Sequence, residues 1–190
     1  MKKLIGTVLA ALLVTTGLHP VYACTGIAIN AADGTKLFAR TIEWKGGNLN
    51  SKLIILPRGM KNTALTPEGQ NGHVWYNKYG AVGASTVEPP FVTEGVNEKG
   101  LNVGIFYFAH VGSLTPYNPK RAKKSVSDGE LVRYMLTSFA TVDEALKGLE
   151  KIEIIPIGKP DQNGHYAFFY QTQRRACDRG KQEQRQFCRI

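Results

Sequence analysis

The first 23 residues constrain this sequence most, because they have the layout of a segment that the folded domain does not contain. Lys2 and Lys3 precede an apolar run from Leu4 to Leu18, and a small residue, Ala23, stands just before Cys24. This order is typical of a secretory signal peptide. The run of about 15 residues is also shorter than the roughly 20 that a membrane-spanning helix needs. We therefore expect residues 1–23 to be a signal peptide, the protein to be exported (periplasmic or secreted) without a stable membrane span, and the mature chain to begin at Cys24.

The remaining chain has the length of a single domain, about 165 residues, which is enough for a sizeable core. The formal net charge is +9, of which the two leader lysines carry +2 and the last twenty residues +4. The body of the chain therefore carries only +3 and shows no basic stripe interleaved with aromatic residues. This charge pattern argues against nucleic acid as a partner.

The mature chain should open with a β-hairpin. Residues 25–30 alternate as a strand does, Asp33-Gly34 is a turn signal, and residues 36–41 form the returning strand. Cys24 would then stand at the very start of the first strand, with Arg40 brought back beside it at the end of the second.

The rest of the sequence predicts further strands, then helices, then strands, which is an α+β order and not an alternating one. Strands are predicted at 52–57, 74–76, 80–86, 101–109 and 165–170, with a tight polar turn at 94–100. A helix capped by Asp128 should run to Phe139, with Leu131, Met135 and Leu136 on its buried face. A second helix should start at a capping box formed by Thr141 and Glu144.

Cys24 is the strongest candidate for chemistry if it becomes the N-terminal residue. A free thiol titrates near 8.5 and an α-amino group near 7.7–8.0, so the amine can act as a base for the thiol of the same residue. Nucleophile and base are then supplied by one amino acid, and no histidine is required. The histidines of the mature chain, His73, His110 and His165, are scattered and have no motif around them.

Two charged residues follow at the end of the hairpin. The guanidinium of Arg40 would favour the thiolate of Cys24, and the carboxylate of Glu43 can accept a hydrogen bond from the α-ammonium group. On the residues alone, a surface ion pair is the favoured explanation of these two charges.

Four motifs of the chain follow one another at the spacing of the choloylglycine hydrolase family, which this sequence resembles. They are Cys24-Thr25-Gly26, Ala39-Arg40-Thr41-Ile42-Glu43-Trp44, Pro57-Arg58-Gly59 and Gly95-Val96-Asn97-Glu98-Lys99-Gly100-Leu101. The family includes bile salt hydrolases and penicillin V acylases and belongs to the N-terminal-nucleophile hydrolases. The resemblance runs from Cys24 to about Tyr170, the first half of the family's domain.

The resemblance implies a fold and a set of site residues. The fold would be the αββα sandwich of N-terminal-nucleophile hydrolases. Cys24 would be the nucleophile, Arg40 would lie beside it, and Glu43 stands where the family has an aspartate. Tyr107 aligns with the family position whose backbone N–H helps to form the oxyanion hole, although an aromatic residue in a core strand is the alternative there. No metal or organic cofactor is implied, and full-length relatives would be homo-oligomers.

The function that the resemblance implies is hydrolysis of a linear amide, a C–N bond other than a peptide bond, through an acyl-enzyme on Cys24. The partner would be a small-molecule amide: penicillin V, a conjugated bile salt or an N-acyl homoserine lactone. Two alternatives stay open. One is a lipid-anchored binding module in which Cys24 is lipidated, and the other is an inactive fragment of the enzyme.

The last twenty residues do not continue the pattern. Residues 171–190 are basic, almost free of apolar residues and without periodicity, and they contain Cys177 and Cys188. Residues 24–170 would therefore be the N-terminal half of the domain, with the sandwich apparently truncated and an aberrant tail following it. A frameshift that replaces the second half is favoured over a disordered basic tail.

Overall fold

The computed structural model describes residues 24–42, 48–86, 91–112, 114–157, 166–172 and 187–189. Of residues 107–112, 166–172 and 187–189 only the backbone is described. The strands are β1 (Gly26–Asn30), β2 (Lys36–Arg40), β3 (Lys52–Leu56), β4 (Lys61–Thr63), β5 (Val74–Tyr76), β6 (Ala81–Ser85), β7 (Val92–Asn97), β8 (Asn102–Gly112), β9 (Ser125–Ser127), β10 (Glu153–Ile155), β11 (Tyr166–Thr172) and β12 (Phe187–Arg189). The helices are α1 (Leu131–Ser138) and α2 (Val142–Leu149), and short 3-10 turns cover Pro119–Lys124 and Asp128–Glu130.

A six-stranded sheet organises these elements, in the order β12-β11-β8-β7-β6-β3. Its strands pair antiparallel, except that β12 runs parallel to β11. Three two-stranded pairs accompany it: the hairpin β1-β2, the antiparallel pair β4-β5 and the parallel pair β9-β10.

One face of the sheet packs against α1 and holds the core. Val92, Val103 and Ile105 are buried there with Leu136 and Met135 of the helix. Burial of such side chains contributes about 1.5–3 kcal/mol each. The three helix residues predicted to face the core, Leu131 among them, are all buried, so that prediction is confirmed.

The opposite face of the sheet carries the hairpin β1-β2. Gly104 of β8 leaves room for the ring of Phe38, whose atoms lie 3.5–3.6 Å from where a Cβ would stand. Beyond the hairpin, the alternation of β3 divides its apolar side chains between solvent and core. Leu53 is 82% exposed and Ile55 78% exposed, while Ile54 packs against the core.

The predicted hairpin is confirmed in position and register. Gly26 pairs with Arg40 and Asn30 with Lys36. In the turn, the backbone N–H of Thr35 donates to Oδ1 of Asp33 at 2.8 Å, and Gly34 has a φ of 86°. A positive φ is the conformation that glycine adopts without steric cost.

The predicted turn at 94–100 is wrong over its first half. β7 continues to Asn97, and the turn covers only residues 98–100. Gly95 and the acidic Glu94 made this stretch look like a loop. Its β-branched residues Val92 and Val96 instead pair with β6, and Val96 pairs also with β8.

The helix boundaries differ slightly from those predicted. Asp128 does not cap α1; it lies in a 3-10 turn, and its Oδ1 accepts hydrogen bonds from the N–H groups of Gly129 and Ile157. The cap of α2 is confirmed, since the hydroxyl of Thr141 accepts from the N–H of Glu144 at 3.2 Å.

The strand predicted at 165–170 is confirmed as β11, which pairs with β8 and extends to Thr172. It therefore includes the first two residues of the segment that the sequence set apart as a tail. Within that segment, Phe187–Arg189 forms β12 beside β11. Residues 173–186 and 190 lie outside the described residues.

Candidate active site

Cys24 is held at the open end of the hairpin, two residues before β1 begins. It is a free, half-buried cysteine. The N–H of Thr41 donates to the carbonyl oxygen of Thr25 at 2.9 Å, and the N–H of Thr25 donates to the hydroxyl of Thr41 at 3.2 Å. These two hydrogen bonds extend the ladder beyond β1 and β2. Its register, continued in the same way, sets Cys24 opposite Ile42.

The alternation of the ladder places Cys24 and Arg40 on one face. Arg40 pairs with Gly26, and side chains two residues apart on a strand share a face. Diagonal neighbours across an antiparallel pair lie about 7–8 Å apart, within reach of a long side chain. The face is the one that meets the sheet, because it also carries Phe38. The predicted approach of Arg40 to Cys24 is therefore a consequence of the hairpin, and the catalytic role of both residues remains a prediction.

The guanidinium of Arg40 lies over a side chain of the sheet. Its Cζ is 4.8 Å from the centroid of the Phe106 ring, and Phe106 is buried. A cation over an aromatic face at this distance is attracted by the ring quadrupole. Two of its nitrogens, Nε and Nη1, are buried and have no hydrogen-bond partner in the described part of the chain. Arg40 thus places a fixed positive charge, with two donors unpaired among the described residues, on the face of the hairpin that carries Cys24.

Glu94 is a residue of this region that the sequence reasoning missed. It lies on β7, pairs with Gly104 and is half-buried on the face that carries the hairpin. Burial raises the pKa of its carboxyl above the ordinary value, and the positive charge of Arg40 offsets part of that rise. A strand over 92–97 would have placed Glu94 on the face opposite Gly95, and that alternation was the signal that could have found it.

Of the two other predicted site residues, Tyr107 and Glu43, the structure describes only the backbone of Tyr107. The backbone of Tyr107 lies on β8, directly after Phe106 and paired with Phe168 of β11. Its side chain is outside the described residues, and so is the whole of Glu43. The structure therefore leaves the oxyanion role of Tyr107 and the amine-binding role of Glu43 as predictions.

The motif from Asn97 to Leu101 has a structural role. Asn97 donates from Nδ2 to the carbonyl oxygens of Leu136, at 2.8 Å, and Phe139, at 2.7 Å. Its Oδ1 accepts from the N–H groups of Lys99, at 2.9 Å, and Leu101, at 3.0 Å. This one buried side chain therefore closes the β7-β8 turn and ties it to the end of α1.

The motif Pro57-Arg58-Gly59 contacts the motif that contains Asn97 and Glu98. Glu98 accepts a bidentate hydrogen bond from Nε and Nη2 of Arg58, and its Oε1 also accepts from the N–H of Gly80 at 3.1 Å. The ion pair lowers the pKa of Glu98 and raises that of Arg58. Both side chains are solvent-exposed, and the pair joins two turns.

His73 is no partner for Cys24 in this arrangement. Its ring lies 5.6 Å from that of Tyr134, a residue of α1, which packs on the other side of the sheet from the hairpin. In the part of the chain that the structure describes, no group of three or more His, Cys, Asp or Glu side chains could hold a metal ion. Within the same residues no helix is long and apolar enough to cross a membrane.

Comparison with known proteins agrees with this geometry. Residues 24–176 match the family model described as linear amide C–N hydrolases, choloylglycine hydrolase family. A penicillin V acylase from Pectobacterium atrosepticum is 33% identical over 125 residues, which are 64% of this chain and 32% of that protein. A bile salt hydrolase/transferase from Clostridium perfringens is 26% identical over 136 residues, 70% of this chain and 40% of that protein. The chain thus spans about a third to two fifths of the length of these curated relatives.

Solved structures show the same fold. A conjugated bile acid hydrolase from Clostridium perfringens superposes with a TM-score of 0.60 at 23% identity, covering 78% of this chain and 44% of that one. A penicillin V acylase from Agrobacterium tumefaciens superposes with a TM-score of 0.57 at 28% identity, covering 68% of this chain and 39% of that one. The sheet, the hairpin and the helices described above therefore form part of the N-terminal-nucleophile hydrolase fold, as the sequence predicted.

Proposed function

We propose, since this chain belongs to the choloylglycine hydrolase family of linear amide C–N hydrolases, that Cys24 is the nucleophile with which it cleaves its amide substrate. The observation that carries the proposal is the end of the hairpin. There, hydrogen bonds between Thr25 and Thr41 hold Cys24 on the same face as the fixed charge of Arg40.

The reaction proceeds in two steps. The α-amine of Cys24 takes the thiol proton, and Sγ attacks the amide carbonyl carbon. The C–N bond then breaks, the leaving amine takes the proton back from the α-ammonium group, and a thioester remains on Cys24. Water attacks the thioester, releases the carboxylic acid and restores the thiol. Arg40 stabilises the thiolate, and we assign one oxyanion donor to the backbone N–H of Tyr107.

Processing is part of the proposal, because the α-amine must be free. Cleavage after Ala23 by a signal peptidase would expose Cys24 during export to the periplasm or the medium. N-terminal sequencing of the exported protein should therefore find Cys24 first. A diacylglyceryl group on Cys24, or a start at any other residue, would contradict the assignment.

For the substrate we propose penicillin V first, with conjugated bile salts and N-acyl homoserine lactones as the other two classes. The relative that is 33% identical is a penicillin V acylase, and one that is 26% identical acts on bile salts. The tyrosine at position 107 also resembles the acylase side of the family more than the bile salt side.

The test compares three forms of the protein: one that begins at Cys24, one that retains Ala23 before it, and Cys24→Ser. Each is incubated with penicillin V, and the peptide that contains residue 24 is examined by mass spectrometry for the phenoxyacetyl group. Only the form with the free Cys24 amine should be acylated and release phenoxyacetate. Equal acylation of the form that retains Ala23 would show that the α-amine is not the base.

A further inference from the structure

Glu94 is a half-buried carboxyl that the proposed reaction does not use. It stands opposite Gly104 on the face of the sheet that carries the hairpin, and Phe106 is the next residue of β8 on the same face. Gly104 has no side chain to separate Glu94 from the hairpin. Glu94 is therefore a diagonal neighbour of Phe106, whose ring contacts Arg40, and such neighbours lie within reach of a long side chain.

The surroundings of Glu94 leave Arg40 as its charged neighbour. Its partners across the ladder are Ala84 of β6 and Gly104 of β8, and the adjoining residue on β8 is Phe106; none of them carries a charge. From the hairpin, the ionisable groups on this face are Arg40, Cys24 with its α-amine once it is free, and Lys36, which lies at the turn end of β2, four residues from Arg40. The electrostatic influence on Glu94 from the described residues comes from Arg40.

Arg40 in turn has donors to offer. Nε and Nη1 are buried without a hydrogen-bond partner among the described residues, although buried donors of this kind are costly to leave unpaired. The contact with Phe106 sets the distance of the guanidinium from the ring but does not fix the direction in which its N–H groups point. Nε and Nη1 make no hydrogen bond to Glu94, so the carboxylate supplies the missing direction through the attraction between the two opposite charges.

We propose that Glu94 is the positioning residue of Arg40, whose guanidinium it holds over the Phe106 ring and beside the Cys24 thiol. The inference rests on the proposed function in one respect: it assumes that the charge of Arg40 matters to Cys24. Glu94 acts through Arg40 and does not touch the substrate.

The test measures the rate at which iodoacetamide alkylates Cys24 as a function of pH, with the Cys24 peptide followed by mass spectrometry to separate it from Cys177 and Cys188. Glu94→Gln has two opposite effects on this profile. Removal of a nearby negative charge favours the thiolate and lowers the pH at the midpoint of the alkylation profile. Release of Arg40 from its position raises that midpoint. The double variant with Arg40→Met separates them, because only the direct effect of the charge remains when Arg40 is absent.

If Glu94 positions Arg40, Glu94→Gln alone raises the midpoint by about 0.5–1 pH unit. That is part of the pKa shift of roughly 1–3 units that a neighbouring opposite charge produces. In the Arg40→Met background the same change leaves the midpoint unaltered or lowers it. Glu94→Asp, which keeps the charge, should stay closer to the original profile than Glu94→Gln. Glu98→Gln is the matched control, since Glu98 pairs with Arg58 away from the hairpin, and it should change nothing.

A midpoint that Glu94→Gln lowers or leaves unaltered in the presence of Arg40 would overturn the inference, and so would an Arg40→Met change without effect on the profile. Circular dichroism of each variant verifies that the profile belongs to folded protein. Acylation of Cys24 by penicillin V is measured separately on the unsubstituted protein. Failure of that reaction counts against the proposed function, while the alkylation profiles still decide the role of Glu94.

Discussion

Asn97 shows how a single residue can fix the geometry of a motif without taking part in chemistry. Its four hydrogen bonds satisfy two carbonyl groups at the end of α1 and two N–H groups in the β7-β8 turn. Gly100, with a φ of 79°, completes that turn. The sequence marked this motif as a family feature, but it carried no information on which of the residues bind substrate and which hold the turn.

We predict that Asn97→Asp destabilises the fold by about 2–4 kcal/mol. The carboxylate keeps the acceptor for Lys99 and Leu101 but loses the donor, so two carbonyl groups are left unpaired beside a buried charge. Urea unfolding measures the change. Asn118→Asp is the control, because Asn118 is exposed and an aspartate accepts equally well from the N–H of Lys120. A loss at Asn97 no larger than that at Asn118 would contradict the prediction.

Glu43 and Glu94 mark the limit of sequence reasoning at the residue scale. Glu43 was chosen for its spacing from Arg40 along the chain, and it lies outside the described residues. Glu94 was overlooked because it is 54 residues from Arg40 in sequence and becomes a neighbour only when the hairpin folds onto the sheet. Local patterns cannot show a contact that depends on how one element lies on another.

At the scale of elements, sequence patterns predicted what local chemistry determines. The hairpin was found because strict alternation and an Asp-Gly turn act within fifteen residues of each other. The α2 cap was found because Thr141 and Glu144 are one helical turn apart. β7 was missed since its pattern is broken by Gly95, and a glycine in a strand is explained only by what packs on it.

The packing on Gly95 gives a prediction that distinguishes two strand glycines. A Cβ at Gly95 would stand 2.6 Å from the carbonyl oxygen of Val82 and 2.8 Å from Cδ1 of Leu136, so α1 would have to move away from the sheet. At Gly104 the nearest atoms, from Phe106 and Phe38, are at 3.5 Å, an ordinary contact distance. We expect Gly95→Ala to cost about 2–3 kcal/mol, from overpacking against atoms that cannot yield.

Gly104→Ala serves as the matched control and should stay within about 0.5 kcal/mol of the unsubstituted protein, since nothing has to shift. Thermal unfolding of both variants, made in the same background, decides between them. Equal effects would mean that α1 does not lie as close to β7 as the structure has it.

In the part of the chain that the structure describes, exposed apolar side chains form two rows. On the sheet, beside the hairpin, the row consists of Leu53, Ile55, Val82 and Val96. On the outer face of the hairpin it consists of Ile27, Ile29 and Leu37. Contiguous apolar surface of this kind is uncommon on monomeric proteins. The sequence predicted the αββα fold, in which both faces of such strands are covered, and the chain covers 44% of the bile acid hydrolase that shares the fold.

β3 adds an exposed edge to this surface. It is the last strand of the six-stranded sheet, and its alternation presents Leu53 and Ile55 to solvent on one face. An apolar edge strand offers unpaired backbone groups to another chain, and charged residues are the usual protection against such pairing. Here the protection within the strand is Lys52 alone.

We therefore predict that a chain of these 190 residues, studied by itself, is a marginal fold and a poor enzyme. It should bind the dye ANS, associate with increasing concentration and unfold over a broad temperature range.

The double change Leu53→Thr and Ile55→Thr should reduce dye binding and association without loss of stability, because both side chains are exposed. Ile54→Thr is the matched control: it lies between them but packs against the core, so it should cost about 1–3 kcal/mol. Light scattering and calorimetry measure both effects. A monomer that binds no dye, unfolds sharply and hydrolyses penicillin V as fast as full-length relatives would show instead that the exposed rows need no further cover.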